Sequence, residues 1–257
     1  MNQQEGESNI FEGVEVVEEI ESASERIVTA TKSISCTNIQ EIEQNFSDYD
    51  NLFAGNRHFV DRKLREDPEY FSRLVNTQTP KYVLIGCSDS RVPPDRLTNT
   101  KPGEMFIHRN VANLVVNTDS NVMSVLQYAV EVLKVKHVIV MGHYGCGGVR
   151  ASTEKKHHGL IDEWLRNIKD VQRLHWNELQ GIDDEDKRLR RLVELNVKEQ
   201  ALNVCKTNIL QNAWARGENV HVHGWVYELS TGLIKDLQIE EKEWLNIKPI
   251  YDLNSKN

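Results

Sequence analysis

Long apolar runs are missing from this chain of 257 residues. No stretch approaches the roughly 18 consecutive apolar residues that a membrane-spanning helix needs, and the N-terminus lacks the short apolar run that marks a secretory signal. We therefore expect a protein that neither spans a membrane nor is secreted. A hydrophobic fraction of 39% is sufficient for the packed core of one large α/β domain or two small ones.

Cysteine is also scarce, and acidic residues outnumber basic ones by 39 to 31. Four cysteines are too few and too scattered for a disulfide-stapled fold, which favours a reducing compartment and thiols with a metal-binding or catalytic role. The formal net charge of −8 argues against a nucleic-acid partner. A mitochondrial presequence is rich in arginine and poor in acids, whereas this N-terminal segment is rich in glutamate. We expect a cytoplasmic protein, with the mitochondrial matrix or another organelle as the alternative if a presequence is atypical or already removed.

The chain is predicted to divide into an acidic N-terminal extension, residues 1–45, and one main domain, residues 46–257. The extension is rich in Glu, Ser and Thr, which favours a mobile acidic tail over a helix that wraps around the domain. From Phe46 to Leu74, charged and apolar residues alternate at helical spacing. This pattern predicts one or two amphipathic helices that form an N-terminal helical arm.

Short β-rich apolar runs alternate with helical patterns in the rest of the chain. The predicted strands are KYVLIG (81–86), MFIHRN (105–110), HVIVMG (137–142) and NVHVHGWVYEL followed by the hairpin-like return GLIKDLQIE. Asp119 or Ser120 caps a helix before the third strand, and residues 159–216 predict two helices separated by an acidic turn at 181–186. We predict an α/β fold with a mostly parallel central sheet flanked by helices, with an N-terminal helical arm and a long C-terminal helical segment.

Unusual side chains follow two of the predicted strands. Cys87 ends the first strand, and His143 and Cys146 follow the third. Because ligands bind at the carboxyl ends of strands in open α/β sheets, we expect the two loops to converge on one site. Two thiolates and one imidazole are typical zinc ligands, and a set of three leaves the fourth position for water. The pattern therefore predicts a catalytic zinc site.

The other cysteines and paired histidines are better explained without a metal. Cys205 lies on an apolar helical face, which is typical of a core position, and Cys36 has no partner at ligand spacing. His157 and His158 fit a solvated helix end better than a stray metal site. His221 and His223 alternate with apolar residues, which favours packing on the sheet.

Asp89 and Arg91 lie two residues apart in the loop that begins with Cys87. A guanidinium can hold a carboxylate in one bidentate geometry and keep it ionised by lowering its pKa. Such a carboxylate is a fixed acceptor for a proton of metal-bound water. The alternative is a surface ion pair of little consequence, which the neighbouring cysteine makes less attractive.

The segments CSDSR (87–91) and HxxC (143–146) resemble the motifs of the β-class carbonic anhydrases. The resemblance extends from about Phe46 to about Ile239 and includes QTP (78–80), PGEMFIHRNVANLV from Pro102 onwards, and SVLQYAVEVLKVKHVIVMGHYGCGGV (124–149). It implies an α/β fold built as a homodimer or a dimer of dimers. It also implies zinc-dependent, reversible hydration of carbon dioxide to bicarbonate and a proton, by attack of a zinc hydroxide that an Asp–Arg dyad orients.

By position, the resemblance implies roles for individual residues. The zinc ligands are Cys87, His143 and Cys146, and the catalytic dyad is Asp89 with Arg91. The substrate pocket, part of which comes from the partner subunit, is lined by Gln78, Phe106 and Val111.

The chain also departs from patterns within the family. Plant-type members have a pocket tyrosine where this chain has Val132. Bacterial-type members bind an inhibitory bicarbonate with Trp, Arg and Tyr side chains; this chain has Arg109 and Tyr128 at the matching places but Leu84 instead of the tryptophan. Arg109 and Tyr128 are therefore the candidates for an accessory bicarbonate site.

Two other functions fit the same residues. Related enzymes hydrolyse carbonyl sulfide or carbon disulfide, and access to the pocket decides between these substrates and carbon dioxide. The chain could also be a structural subunit that keeps the fold without activity, with the acidic extension as its docking segment. The intact ligand set and dyad argue against this second alternative.

Overall fold

The computed structural model of this chain describes residues 48–239 and 241–253, except for the side chains of 241–243, 245 and 246. The described residues fall into two compact units, which divide between Phe71 and Ser72. The predicted acidic extension and Cys36 lie outside the described residues, so the domain boundary at residue 45 stays a prediction. Across the described ranges, no helix combines the length and the apolarity that crossing a membrane requires.

Among the described residues of the first unit there is one α-helix, α1 (Asp48–Glu66), in the region where the alternating pattern predicts one or two. Its first turn carries two aspartates and its last turn a lysine and an arginine, an arrangement that complements the helix dipole. None of its residues is buried. After the helix ends, the rings of Tyr70 and Phe71 lie edge-to-face against Phe59, with centroids 6.3 and 6.2 Å away.

The second unit is built on a five-stranded sheet in the order β2-β1-β3-β4-β5. The first four strands in this unit are parallel, and the last returns antiparallel to β4, as the hairpin pattern predicts. The strands are β1 (Tyr82–Cys87), β2 (Met105–Asn110), β3 (His137–His143), β4 (His221–Glu228) and β5 (Leu233–Asp236). The mostly parallel α/β fold is therefore confirmed.

Helices connect and flank the strands. They are α2 (Pro94–Thr98), α3 (Ser120–Gln127, continued by a π-helical turn at Tyr128–Val132), α4 (Gly147–Thr153), α5 (Ile161–Leu174), α6 (Trp176–Gln180), α7 (Glu185–Lys206), α8 (Asn208–Ala215) and α9 (Glu241–Tyr251). Short 3-10 turns lie at Ser72–Leu74 and Val111–Asn113. The side chain of Asp119 accepts a hydrogen bond from the backbone N–H of Asn121, so this predicted cap is present.

The region from 159 to 216 contains four helices, where helical periodicity predicts two. The long predicted second helix is interrupted because Thr207 leaves the helical conformation, with ψ at 144°, and its side chain caps α8. The first predicted helix breaks at His175, between α5 and α6. Both breaks lie within stretches whose apolar spacing continues, so periodicity alone did not reveal them.

The two faces of the sheet bury different amounts of apolar surface. One face packs with the helices into a large core that includes Val83, Val138 and Val226. The other face carries a smaller cluster of Leu84, Val92, Ile139, Met141 and Tyr227. Because β-strand side chains alternate between faces, this inequality leaves one face of the sheet more open to solvent.

Candidate metal centre

Two adjacent parallel strands bring three candidate ligands together. Cys87 is the last residue of β1 and His143 the last residue of β3, and the register pairs Gly86 with Met141 just before them. Cys146 precedes α4 and occupies its N-cap position. Gly145 makes the turn between them with φ at +70°, a conformation that favours glycine. The parallel pairing therefore places both predicted loops at one edge of the sheet.

The three side chains form a compact and buried group. Their ligand atoms all lie within 4.8 Å of one another, and within the described ranges no other group of three such donors does so. The exposed fractions are 5% for Cys87, 0% for His143 and 4% for Cys146. The two sulfurs are 4.0 Å apart and form no disulfide. The predicted cluster is thus present as one arrangement of donors.

The donors fit a zinc ion. Two sulfurs bound tetrahedrally at about 2.3 Å from one zinc lie roughly 3.8 Å apart, close to the observed separation. The Nδ1 atom of His143 donates to the carbonyl of Tyr144 at 3.0 Å, while its Nε2 is buried and has no hydrogen-bond partner. Since an unpaired buried nitrogen costs free energy, a cation at Nε2 accounts for it.

The two neighbouring sulfurs differ in how readily they lose a proton. The contact with Cys146 lowers the pKa of Cys87 well below that of a free thiol, against the opposing effect of burial. The same contact, together with burial, raises the pKa of Cys146. One sulfur therefore ionises readily and the second keeps its proton until a cation compensates the charge, as expected for a thiolate metal site.

Arg91 holds the Asp89 carboxylate beside this group. Its Nε donates to Oδ1 at 2.9 Å and its Nη2 to Oδ2 at 2.7 Å, and its backbone N–H donates to Oδ1 at 3.0 Å. The Oδ2 atom lies 3.6 Å from Nε2 of His143. These hydrogen bonds hold the pKa of Asp89 well below its usual range. The predicted bidentate pair is present, and it keeps the carboxylate ionised and fixed.

Arg109 has a position that the sequence did not indicate. Its Nε donates to the carbonyl of Cys87 at 2.8 Å and its Nη2 to the carbonyl of Asp89 at 2.6 Å. Arg109 pairs in register with Gly86, so it lies next to the loop that follows β1. The guanidinium therefore fixes the backbone of that loop, whereas the resemblance implies an accessory anion site.

The remaining predicted site residues are only partly brought together. The ring of Phe106 lies 5.8 Å from that of Tyr128, which is 45% exposed. Val111 is half-buried directly after β2, and Gln78 is exposed. Leu84 is fully buried in the smaller core cluster. The structure thus groups Phe106 with Tyr128, and it places Leu84 inside the protein.

The side chains that were assigned to packing or solvent lie apart from the metal centre. Cys205 is buried on α7, which agrees with a core position. His157 and His158 follow α4 in a loop: the first is exposed, and the second lies 3.1 Å from Glu154. His221 and His223 lie on the sheet face together with His137.

Comparisons with known proteins agree with this geometry. The family model described as carbonic anhydrase matches residues 82–234. A carbonic anhydrase of Emericella nidulans is 48% identical over 206 residues, which cover 80% of this chain and 90% of that protein.

Solved structures extend the similarity to the fold. The β-carbonic anhydrase of Coccomyxa, solved in complex with acetazolamide, is 43% identical with a TM-score of 0.72, over 75% of this chain and 87% of that one. A tetrameric β-carbonic anhydrase of Sordaria macrospora is 36% identical with a TM-score of 0.70, over 74% of this chain and 96% of that one. This chain is therefore an enzyme of the β-class carbonic anhydrase family.

Proposed function

We propose that this enzyme hydrates carbon dioxide reversibly to bicarbonate and a proton, with zinc bound by Cys87, His143 and Cys146. The observation that carries the proposal is the buried group of two sulfurs and one unpaired imidazole nitrogen beside an ionised carboxylate. Membership of the family supports the reaction, and the donor set supports the metal. In a site with three protein ligands, zinc supplies an open position where the pKa of a bound water falls toward about 7.

Asp89 and Arg91 orient the reaction. An ionised carboxylate accepts hydrogen bonds and cannot donate them, so Asp89 binds a hydrogen-bond donor beside Nε2 of His143. The lone pair of that donor then points away from the carboxylate. Arg91 keeps the carboxylate in one position through three hydrogen bonds. Because the backbone of Asp89 is itself held by Arg109, the acceptor is preorganised before substrate arrives.

The proposed substrate pocket combines apolar and polar side chains. Carbon dioxide is small and has no net charge, so it needs an apolar surface near the reacting group. Phe106, near the start of β2, and Val111, directly after that strand, offer such a surface, and Gln78 offers a polar contact. We assign these three residues to the pocket and leave part of its wall to a partner subunit.

We also propose a homodimer or a dimer of dimers as the active assembly, in the cytoplasm. The tetrameric Sordaria macrospora enzymes support the assembly. In this proposal residues 46–257 form the zinc domain and residues 1–45 an extension outside it. Light scattering combined with an activity assay tests the assembly, and a fully active monomer would contradict it.

Bicarbonate at an accessory site should inhibit this enzyme only weakly. Arg109, one of its two candidates, already donates to two backbone carbonyls, and Leu84 offers no donor to an anion. We therefore expect a shallow, non-cooperative dependence of initial rate on bicarbonate at slightly alkaline pH. Steep cooperative inhibition at low millimolar bicarbonate would show instead that Arg109 and Tyr128 form an effective switch.

Stopped-flow measurement of carbon dioxide hydration, with zinc quantified in the same sample, tests the proposal. We expect one zinc per chain and rapid hydration in the wild type, and loss of both in a Cys87→Ala, Cys146→Ala double variant. Carbonyl sulfide and carbon disulfide are assayed in parallel. Activity on either of these and none on carbon dioxide would make them the substrates of this site. Folded zinc-loaded protein that is inactive on all three would identify a structural subunit.

A further inference from the structure

Three histidines share one sheet face at the opposite end of the strands from the metal centre. His137 begins β3, and His221 begins β4. The register pairs His137 with His221 and Ile139 with His223. Because alternate residues of a strand share a face, the sequence HVH places two imidazoles on one face of β4, directly beside His137.

Two of these imidazoles already direct nitrogens at each other. Nδ1 of His137 lies 3.0 Å from Nε2 of His223. Two nitrogens bound at about 2.0 to 2.1 Å from one metal ion lie roughly 2.9 to 3.4 Å apart for angles between square and tetrahedral. The observed separation therefore fits a pair of ligands as well as a hydrogen bond.

The third imidazole lies within reach of the pair. The ring of His221 stacks on that of His137, with centroids 5.5 Å apart, and lies 6.4 Å from that of His223. His221 is exposed, so its side chain can turn without disturbing the core. Burial lowers the pKa of both His137 and His223, and nearby imidazoles lower it further, which keeps these two rings neutral and able to bind a cation.

The histidines line a cavity that admits an ion from solvent. Its volume is about 440 Å³, and its wall includes Thr98, Thr100 and Asp236 in addition to two of the histidines. Asp236 belongs to β5 and pairs in register with Trp225, which lies next to His223 on this face. The carboxylate of Asp236 adds negative charge and an oxygen donor to the wall of this cavity.

We propose that His137, His221 and His223 form a second metal site, which binds a divalent transition ion such as Cu²⁺, Ni²⁺ or Zn²⁺. Imidazole is a preferred ligand of these ions, whereas Mg²⁺ and Ca²⁺ prefer a shell of oxygens. The site has no thiolate, so it differs in chemistry from the Cys–His–Cys centre. His137 and His223 provide the preformed pair of ligands, and His221 turns inward to complete the set.

The test is a titration of the full-length, zinc-loaded enzyme with Ni²⁺, followed by calorimetry, with both metals counted after gel filtration. We expect one Ni²⁺ per chain in addition to a constant zinc content. His223→Gln and His137→Gln should each weaken Ni²⁺ binding by at least about tenfold, the scale of loss seen when even a supporting group of a metal site is removed. The matched control is the His157→Gln, His158→Gln double variant, which removes two neighbouring histidines elsewhere and should bind Ni²⁺ normally.

Two further measurements keep the proposal falsifiable if a variant of the half-buried His137 or His223 fails to fold. His221→Gln changes an exposed side chain and should still lower the affinity for Ni²⁺. Cu²⁺ should quench part of the tryptophan fluorescence, because the ring of Trp225 lies 6.5 Å from that of His223, and Trp225→Phe should remove that part. Unchanged Ni²⁺ affinity in His221→Gln and in every folded variant of the pair, or loss of binding in the control, would overturn the site.

Discussion

The two ends of the parallel strands place candidate metal-binding side chains in different environments. At the carboxyl ends, Cys87, His143 and Cys146 are almost completely buried, and arginines hold the adjoining loop. At the amino ends, the imidazoles of His137 and His223 are half-buried and that of His221 is exposed. Residue type alone therefore does not distinguish a catalytic centre from a surface site; burial and a fixed backbone do.

The difference has an energetic reason. Without a cation, the buried donors include an imidazole nitrogen that has no hydrogen-bond partner and a second sulfur that keeps its proton, so the folded chain already carries part of the free-energy cost of the site. The histidine face bears less of that cost, because its imidazoles hydrogen-bond to one another or to water. We expect tight binding at the first end and weaker, exchangeable binding at the second.

The largest effect should follow from the loss of one sulfur at the carboxyl end. Cys146→Ser should lower zinc affinity by more than about 100-fold, since even the loss of a supporting group costs about 10- to 100-fold, and carbon dioxide hydration should disappear with the metal. Cys205→Ser is the matched control, because it alters a buried thiol on α7 outside the centre. Equal zinc contents in the two purified variants would contradict the ligand assignment.

A smaller effect is expected when the three proposed metal ligands are kept and the hydrogen-bond acceptor Asp89 is changed. Asp89→Asn should keep its zinc but lose about 10²- to 10⁴-fold in kcat/KM, because an amide offers a donor where the ionised carboxylate only accepts. Asp95→Asn, on α2, is a control that should retain activity. Stopped-flow rates and zinc analysis on the same samples decide the outcome, and near-normal rates from neutral to alkaline pH would remove Asp89 from the mechanism.

Substitutions at two glycines test whether the metal centre depends only on the packing next to it. A Cβ at Gly142 would lie 2.6 Å from Val197, and one at Gly224 would lie 2.8 Å from Ile239. Both substitutions to alanine should lower the free energy of unfolding by about 1 to 3 kcal/mol, since each overpacks the core. Gly142 adjoins His143, so Gly142→Ala should also weaken zinc binding.

Urea unfolding and zinc analysis of the two glycine variants separate stability from function. Gly224 pairs in register with Val140, further from the ligands, so Gly224→Ala should lose stability with little change in zinc content. Equal losses of zinc in both variants would show that the catalytic end depends on packing throughout the sheet.

The smallest effect concerns the hydroxyl of Tyr144, the residue that follows His143. The hydroxyl of Tyr144 donates to Glu194 at 2.6 Å, and Lys235 also donates to that carboxylate. Burial raises the pKa of Glu194, but these donors and Arg191 outweigh it and lower the pKa overall. Tyr144→Phe should cost about 1 kcal/mol at neutral pH, with little change in activity.

The stability difference between wild type and Tyr144→Phe should depend on pH in a defined direction. Because the folded-state pKa of Glu194 is lowered, its ionised form contributes stability above the ordinary pKa of a glutamate and loses it as the pH falls through the folded value. The difference should therefore narrow in acid, as measured by thermal melting at several pH values. A difference that widens in acid would show that the hydroxyl does not act through the carboxylate.

Local spacing was sufficient to predict which side chains form the buried donor group and the carboxylate–guanidinium pair. Cys87, Asp89 and Arg91 belong to one short loop, and His143 lies three residues from Cys146, so each half of the centre is visible in a few residues. The parallel sheet that joins the halves follows from alternating strands and helices, and its register confirms that inference.

Other features required the register between distant residues. Arg109 holds the loop after β1 because it pairs with Gly86, and neither the motif nor the composition shows that pairing. The HVH pattern at 221–223 was interpreted as packing, since only the pairing of His137 with β4 shows that a third imidazole lies beside it. The helix break at Thr207 was missed because its apolar surroundings continue the helical period.

The distance along the chain between the two sulfur ligands has a consequence for how the enzyme acquires its metal. Cys87 and Cys146 are 59 residues apart, and the connection between them includes β2, α3 and β3. In a zinc finger the ligands are close in sequence and the ion drives folding, whereas here the crossover must form and β3 must pair with β1 before the donors meet. We therefore expect metal loading to be a late step, on a chain whose sheet is already assembled.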